Sequence, residues 1–268
     1  MKVGRFQTNC NEIKYGLIED NKVVVIQGDI LSQWQKTSEV VPLSDVTLLS
    51  PIVPINIIAL GKNYSDHAKE TKAFLKDGGD VPSKPEFFIK ATSSLNGPDL
   101  SVVLPRTAPD CVDYEAEMAI VIKKAAKNVS REDALDYVLG YTCANDVSAR
   151  DCQKNDLQWS RGKSFDTFAP LGPWIETELD YQNCDISCRV NGEVRQKSNT
   201  SKMVFDVPSI INYLSQCMTL LPGTVILSGT PAGCAFAMKT PGWLKSGDVV
   251  EVEIKGIGVL KNSIVCEH

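Results

Sequence analysis

Glu115 and Glu117 stand two residues apart in Asp113-Tyr114-Glu115-Ala116-Glu117, at the mouth of the apolar run Met118-Ala119-Ile120-Val121-Ile122. Along a strand, alternate side chains share a face, so the two carboxylates point the same way. Asp146 follows a second apolar stretch, Val138-Leu139-Gly140-Tyr141-Thr142-Cys143-Ala144, which is placed to pair beside the first. Like charges held side by side repel unless a cation lies between them. Oxygen donors without thiolate or imidazole suit a hard divalent ion, which makes a Mg²⁺-type enzyme the chemistry to test. The competing reading is a half-exposed strand with two solvated glutamates.

Other residues carry reactive side chains at useful spacings. His67 and Glu70 are three apart on an expected helix and so share a face. A carboxylate bonded to one imidazole nitrogen fixes the tautomer and raises the basicity of the other, as water activation requires. An exposed, solvated pair at a helix start is the alternative. The chain has only two histidines, His67 and His268, so histidine chemistry runs through His67 or is absent. Arg150 and Gln153 are also three apart, just after Asp146, at the start of an expected helix. Lys163, flanked by Trp159 and Phe165, reads as partly buried, where it would bind a carboxylate or hold an enolate oxygen; a snorkelling surface lysine is the alternative. In Ser228-Gly229-Thr230-Pro231-Ala232-Gly233 the glycines permit close backbone approach, and the Thr230 hydroxyl and amide could hold an anion. A plain turn would look the same. Walker, dinucleotide-binding and Gly-x-Ser-x-Gly signatures are missing.

Strands must position these groups. Residues 1–46 read as a small β unit with a hairpin turning at Asp20-Asn21, and Ser50-Pro51-Ile52-Val53-Pro54 marks a boundary, giving units 1–50 and 51–268. Further strands are expected over 56–61, 86–90, 173–175, 186–190, 225–227, 249–254 and 258–264. Helices are expected from 66 onward, capped by Ser65 or Asp66, over 131–139, capped by Ser130, and over 207–214. The loop 76–85, rich in glycine, proline and charge, is expected to be mobile. Strands without alternating helices argue for a mixed, mainly antiparallel β architecture.

The 268 residues carry a formal net charge of −5, which gives no electrostatic case for nucleic acid or an anionic membrane. No apolar run reaches spanning length, and the first residues lack a signal-peptide core. Nine scattered cysteines then read as reduced thiols of a cytoplasmic protein; Cys184 and Cys188 are expected to pack rather than bind zinc.

In this order, the segments resemble the fumarylacetoacetate hydrolase family over about residues 57–264. The carriers are Gly61-Lys62-Asn63-Tyr64 with His67-x-x-Glu70, Phe87-Phe88-Ile89-Lys90, Asn96-Gly97-Pro98, Asp113-Tyr114-Glu115-x-Glu117, Asn145-Asp146-Val147-Ser148-Ala149-Arg150-Asp151-x-Gln153, Lys163-Ser164-Phe165-Asp166 and Leu227-Ser228-Gly229-Thr230-Pro231-Ala232-Gly233. The resemblance implies an α+β, mainly β fold, a mixed β-sandwich roll that dimerises, with a small N-terminal β domain. It implies Mg²⁺, or Mn²⁺ or Ca²⁺, on Glu115, Glu117 and Asp146. Lys163, Arg150, Gln153, Thr230 and, more weakly, Lys90 would line a pocket for a 2-oxo or β-dicarbonyl acid. His67 and Glu70 would form a dyad on a mobile lid, which loop 76–85 would extend. The leading activity is then hydrolysis of a carbon–carbon bond in acylpyruvate or fumarylpyruvate-type acids, through an enolate that the metal stabilises as a Lewis acid. Isomerisation of 2-hydroxyhepta-2,4-diene-1,7-dioate or decarboxylation of oxaloacetate is the alternative. A binding protein without turnover is a third reading.

Overall fold

The computed structural model describes residues 1–72, 74 and 80–267. Its architecture is mainly β, built on a 12-stranded sheet and a five-stranded sheet. Most pairings are antiparallel, and the parallel ones join Leu95–Asn96 to Ala169–Glu176, Ile57–Gly61 to Val225–Leu227, and Val102–Leu104 to Gly258–Cys266. The mixed, mainly antiparallel architecture expected from the sequence is therefore what forms.

The strand Ala116–Ile122 is the axis of the site. All its residues are buried, and its neighbours are Val138–Asn145 on one side and Val225–Leu227 on the other, both antiparallel. Alternation along it divides two cores. Met118, Ile120 and Ile122 join the core that includes Ile186, Val252 and Ile254 of the second sheet, while Ala119 and Val121 join Leu227, Val3 and Leu17 on the other face. Each large side chain buried this way contributes about 1.5–3 kcal/mol. Burial on both faces also fixes the register, because a slip of one residue would carry Glu117 into the core face now held by Met118.

At the N-terminus, Lys2–Thr8, Ile13–Glu19, Lys22–Gly28, Trp34–Pro42 and Val46–Leu49 form the expected β unit. The hairpin pairs Glu19 with Lys22, and Asp20 and Asn21 take φ of 47° and 62°, the left-handed conformation that a two-residue hairpin turn demands. This unit extends the large sheet, since Lys2 and Val3 pair with Glu176 and Ile175. Phe6, Ile18, Val23 and Val25 give it a small core of its own.

The helices depart from expectation in two places. Only Ala134–Tyr137 becomes helical in the 131–139 segment, as a single 3₁₀ turn. Val138 already pairs with Ile122, which leaves no chain for a longer helix. Ser130 still accepts the Asp133 amide at 3.2 Å. The helix Ser65–Thr71 is preceded by extended Tyr64, so Ser65 and Asp66 lie inside its first turn rather than at its cap; there Asp66 suits the positive end of the helix. Val207–Cys217 forms as expected, capped by Asp206, which accepts the Ser209 amide. Of the expected lid loop, residues 76–79 lie outside the described residues.

Candidate active site

The ends of several strands converge on one buried cluster. Glu115 precedes Ala116–Ile122, Glu117 lies within it, and Asp146 follows Val138–Asn145. One carboxylate oxygen from each lies within 4.8 Å of the others, and all three residues are buried. The backbone fixes this meeting. The Asp146 amide donates to the Glu115 carbonyl at 2.9 Å, and the Glu115 amide donates to Asn145 Oδ1 at 2.9 Å.

Cations hold two of these carboxylates. Lys163 Nζ donates to Glu115 Oε2 at 2.8 Å and to Asp146 Oδ2 at 2.9 Å. Arg150 Nη2 stands 2.7 Å from Glu115 Oε1. Burial alone would raise the Glu115 pKa, but Lys163 and Arg150 hold it well below the usual carboxylate range. Burial also works against the Lys163 ammonium, yet Asp146 and Glu115 outweigh it and keep its pKa above the ordinary lysine value. Lys163 therefore stays charged at neutral pH. Lys90 stands behind Asp146, donating to Asp146 Oδ1 at 2.5 Å and also to the Lys163 carbonyl.

Glu117 differs from both. Its Oε2 accepts the Gly229 amide at 2.6 Å, while Oε1 is buried without a hydrogen-bond partner. Burial, then the charges of Asp146 and Glu115, push its pKa well above the ordinary value. A bare buried oxygen on a carboxylate clustered with two others is the environment that a hard divalent cation satisfies. The residues present therefore fit such an ion.

Above the cluster lies a cavity lined by Lys62, His67, Glu115, Arg150, Gln153, Lys163 and Thr230, with Phe74, Phe88, Trp159 and Phe236 among its aromatic walls. Phe88 meets Trp159 edge to face at 5.5 Å, and the Arg150 guanidinium lies 4.7 Å over the Phe236 ring. Arg150 Nη1 donates to Gln153 Oε1 at 2.8 Å, so these two expected neighbours do meet. Lys90 does not line the cavity. The Thr230 hydroxyl is committed to protein, donating to the Ala116 carbonyl at 2.9 Å and accepting from Gln196 Nε2 at 2.8 Å.

His67 is buried, and its Nδ1 lies 3.7 Å from Glu70 Oε2, beyond hydrogen-bond reach. The Glu70 carboxylate instead accepts the Gly233 amide at 3.1 Å. The glycine loop thus grips two of the protein's own carboxylates, at Gly229 and Gly233. Both glycines have positive φ, 94° and 107°. A Cβ would come 2.7 Å from Asn63 Cβ at the first and 2.1 Å from the Arg195 carbonyl at the second, so neither tolerates a side chain.

Asp113 completes the arrangement. It is fully buried, accepts Arg150 Nε at 2.9 Å, and accepts the amides of Ala235 at 2.8 Å and Phe236 at 3.3 Å. It therefore aims the guanidinium and pins the segment that carries Phe236. Gln196, from the second sheet, joins the Ala116 amide to the loop at Thr230 and Pro231.

Residues 56–265 match the family described as Fumarylacetoacetate (FAA) hydrolase C-terminal, and residues 1–51 match Rv2993c-like, N-terminal. The chain belongs to the fumarylacetoacetate hydrolase family, whose members include isomerases, tautomerases and hydrolases. It is 46% identical over 230 residues, 84% of this chain and 71% of the relative, to a rat protein named oxaloacetate tautomerase Fahd2a, mitochondrial. A solved structure of 5-carboxymethyl-2-hydroxymuconate delta-isomerase from Mycobacterium smegmatis superposes with a TM-score of 0.88 at 39% identity, covering 100% of both chains. Fumarylacetoacetate hydrolase from Exiguobacterium antarcticum gives 0.85 at 36% identity, again over 100% of both. Among the described residues, no helix is long and apolar enough to cross a membrane.

Proposed function

We propose that this chain is a divalent-metal-assisted enzyme acting on 2-oxo acids, and that its reaction moves a proton through an enolate, as in tautomerisation or double-bond isomerisation. The observation that carries this reading is the Lys163 ammonium, fixed between Glu115 and Asp146 in the wall of the cavity. Glu115, Glu117 and Asp146 would hold the ion, which when bound supplies Lewis-acid polarisation of the substrate carbonyl. Arg150 and Gln153 then bind the substrate carboxylate, the guanidinium being aimed by Asp113. Lys163 faces the oxygen on which negative charge develops, in a site shielded from water by Phe88 and Trp159. His67 takes the proton from carbon and returns it.

Proton transfer is preferred over hydrolysis because water activation needs His67 and Glu70 to act together, and they stand 3.7 Å apart with Glu70 bonded to Gly233. The printed names of the rat and mycobacterial relatives agree with this preference. Carbon–carbon hydrolysis of acylpyruvate or fumarylpyruvate-type acids is the second reading, which would require Glu70 to leave the Gly233 amide and bond the imidazole. The discriminating experiment incubates the protein with oxaloacetate, an acylpyruvate and a 2-hydroxydienoate, with Mg²⁺ or with EDTA. Loss of enol absorbance without pyruvate supports proton transfer. Pyruvate and a carboxylic acid from the acylpyruvate would establish hydrolysis, and pyruvate from oxaloacetate decarboxylation. Ligand binding with no product from any of these acids would favour the non-catalytic reading.

Replacing His67→Gln is expected to lower turnover by about 10²–10⁴. The gain in thermal stability conferred by Mg²⁺ should survive that change, because His67 lies outside the carboxylate cluster. An unchanged rate in this variant would remove His67 from the mechanism.

The pH dependence of metal binding follows from Glu117. Above the pH at which an unfolded glutamate ionises, about 4.3, the metal-free fold retains a proton that the unfolded chain has released. Its stability therefore falls as pH rises. An ion that displaces this proton binds more tightly at higher pH. Mg²⁺ at 100 times its dissociation constant should add about 2.7 kcal/mol. Calorimetry at fixed Mg²⁺, with EDTA as reference, over a pH series starting near the ordinary glutamate range should show a gain that grows as pH rises; a gain that stays flat or shrinks throughout the series would count against the assignment.

All nine cysteines are free, which fits a reducing compartment. The proposed location is the cytoplasm, although the rat relative's name places that protein in mitochondria. The proposed assembly is a homodimer, and sedimentation tests it.

A further inference from the structure

Cys234 lies directly after the glycine loop and has no part in the chemistry above. Its Sγ is 3.8 Å from His67 Nδ1. One ligand atom each from Cys234, His67 and Glu115 all lie within 4.8 Å of one another, and the three residues are buried. A tetrahedral zinc with Zn–S of about 2.3 Å and Zn–N of about 2.05 Å spans roughly 3.6 Å between sulfur and nitrogen. The observed separation is within a few tenths of an ångström of that span.

We propose that Cys234, His67 and Glu115 form a second cation site, selective for a thiophilic divalent ion such as Zn²⁺, and that filling it arrests His67. Sulfur, nitrogen and oxygen donors together distinguish this site from the all-oxygen set of Glu115, Glu117 and Asp146, which suits a hard ion. Glu115 belongs to both sets. Glu70 stands 3.7 Å from the same imidazole nitrogen and adds negative charge beside the site. Arg150, 2.7 Å from Glu115 Oε1, and Lys163, 2.8 Å from Oε2, are the opposing charges; Asp113 already pairs with the first through Nε and Asp146 with the second. The sulfur also accepts from Gln196 Nε2 at 3.6 Å, so it points into a polar environment rather than the apolar core.

Binding is balanced simply. The Zn–Sγ bond replaces the Sγ–H bond, and the proton leaves to solvent. The imidazole gives the ion its neutral lone pair at Nδ1, so its ring proton sits on Nε2. No lone pair then remains for proton transfer. This arrest rests on the role proposed for His67; the site itself does not.

The test uses Co²⁺ as a spectroscopic probe, with Mg²⁺ in excess to occupy the carboxylate cluster. Wild-type protein should gain thiolate-to-cobalt charge-transfer absorption in the near ultraviolet. Cys234→Ser should lose it, and Cys143→Ser, which alters a buried thiol beside the Gly258 carbonyl, should keep it. Cys234→Ala repeats the comparison should the serine variant fold poorly. Equal absorption in wild type and both Cys234 variants would overturn the site. In parallel, the Zn²⁺ concentration that halves activity in excess Mg²⁺ should rise at least about tenfold in Cys234→Ser, the scale on which weakened coordination lowers metal affinity. An unchanged concentration, with the absorption lost, would overturn the arrest and leave the site standing. Should no 2-oxo acid be turned over, the cobalt absorption still reads the site, so failure of the proposed activity and failure of the second site are distinguishable.

Discussion

Glu117→Gln should abolish divalent-cation-dependent turnover while leaving the metal-free protein at least as stable as wild type. Glutamine is nearly isosteric and keeps an acceptor for the Gly229 amide, which now bonds Oε2 at 2.6 Å. It removes the like-charge conflict with Asp146 and Glu115 that pushes the Glu117 pKa up. Its amide hydrogens would face those carboxylates, in a position where Oε1 now has no partner. The contribution of the ion to the transition state is several kcal/mol, so kcat/KM should fall by about 10³ or more. Calorimetry in EDTA and steady-state kinetics in Mg²⁺ read the two halves. A variant with wild-type turnover and undiminished stabilisation by Mg²⁺ would show that Glu117 is no ligand. Glu115→Ala is a poorer probe. Its two oxygens meet both Arg150 and Lys163. Removing them takes one carboxylate from each of two buried cations, which keep only Asp113 and Asp146, so loss of stability would mimic loss of metal.

Asp113→Ala should be the most damaging single change outside the metal cluster. The carboxylate is buried and serves Arg150 and three backbone amides, those of Tyr114, Ala235 and Phe236, at once. Breaking a buried charge pair from one side costs about 3–5 kcal/mol. For a chain of this size that corresponds to a fall in Tm of roughly 6–20 °C. With Arg150 no longer aimed, KM for the 2-oxo acid should rise more than kcat falls. Asp113→Asn, which keeps one acceptor and adds a donor, should recover part of the stability and less of the KM. A Tm within a degree or so of wild type for Asp113→Ala would contradict the buried pairing.

Side-chain type and local period made part of this site legible. Glu115, Glu117 and Asp146 could be read because strand alternation and an adjacent apolar run predict one shared face, and the pairing of Ala116 with Asn145 delivers it. Arg150 and Gln153 were legible from helical spacing. Asp113 was visible only as part of a motif. Its role depends on the return of residues 235 and 236, more than a hundred positions later, and no local pattern encodes that contact. Gln196 comes from another sheet and was invisible for the same reason. Trp159 pointed to burial of Lys163 but not to a cavity wall, and Phe236 gave no signal, because a cavity wall and a core residue have the same composition. The long helix expected over 131–139 failed where tertiary pairing of Val138 overrode local propensity. The Thr230 hydroxyl looked available to a ligand because the sequence does not reveal its prior commitments to Ala116 and Gln196.

The glycine loop has one more consequence. Gly229 and Gly233 hold Glu117 and Glu70 respectively, with Thr230, Pro231 and Ala232 between them. A hydrogen bond to an ionised carboxylate is roughly twice as strong as one to its neutral form. Ionising Glu117 therefore tightens one end of a short segment stiffened by proline. The far end of that segment is fastened to Glu70, on the helix that carries His67. One short stretch of backbone thus ties the carboxylate cluster to the histidine helix, so the spacing between the two is set by peptide geometry rather than by side-chain packing.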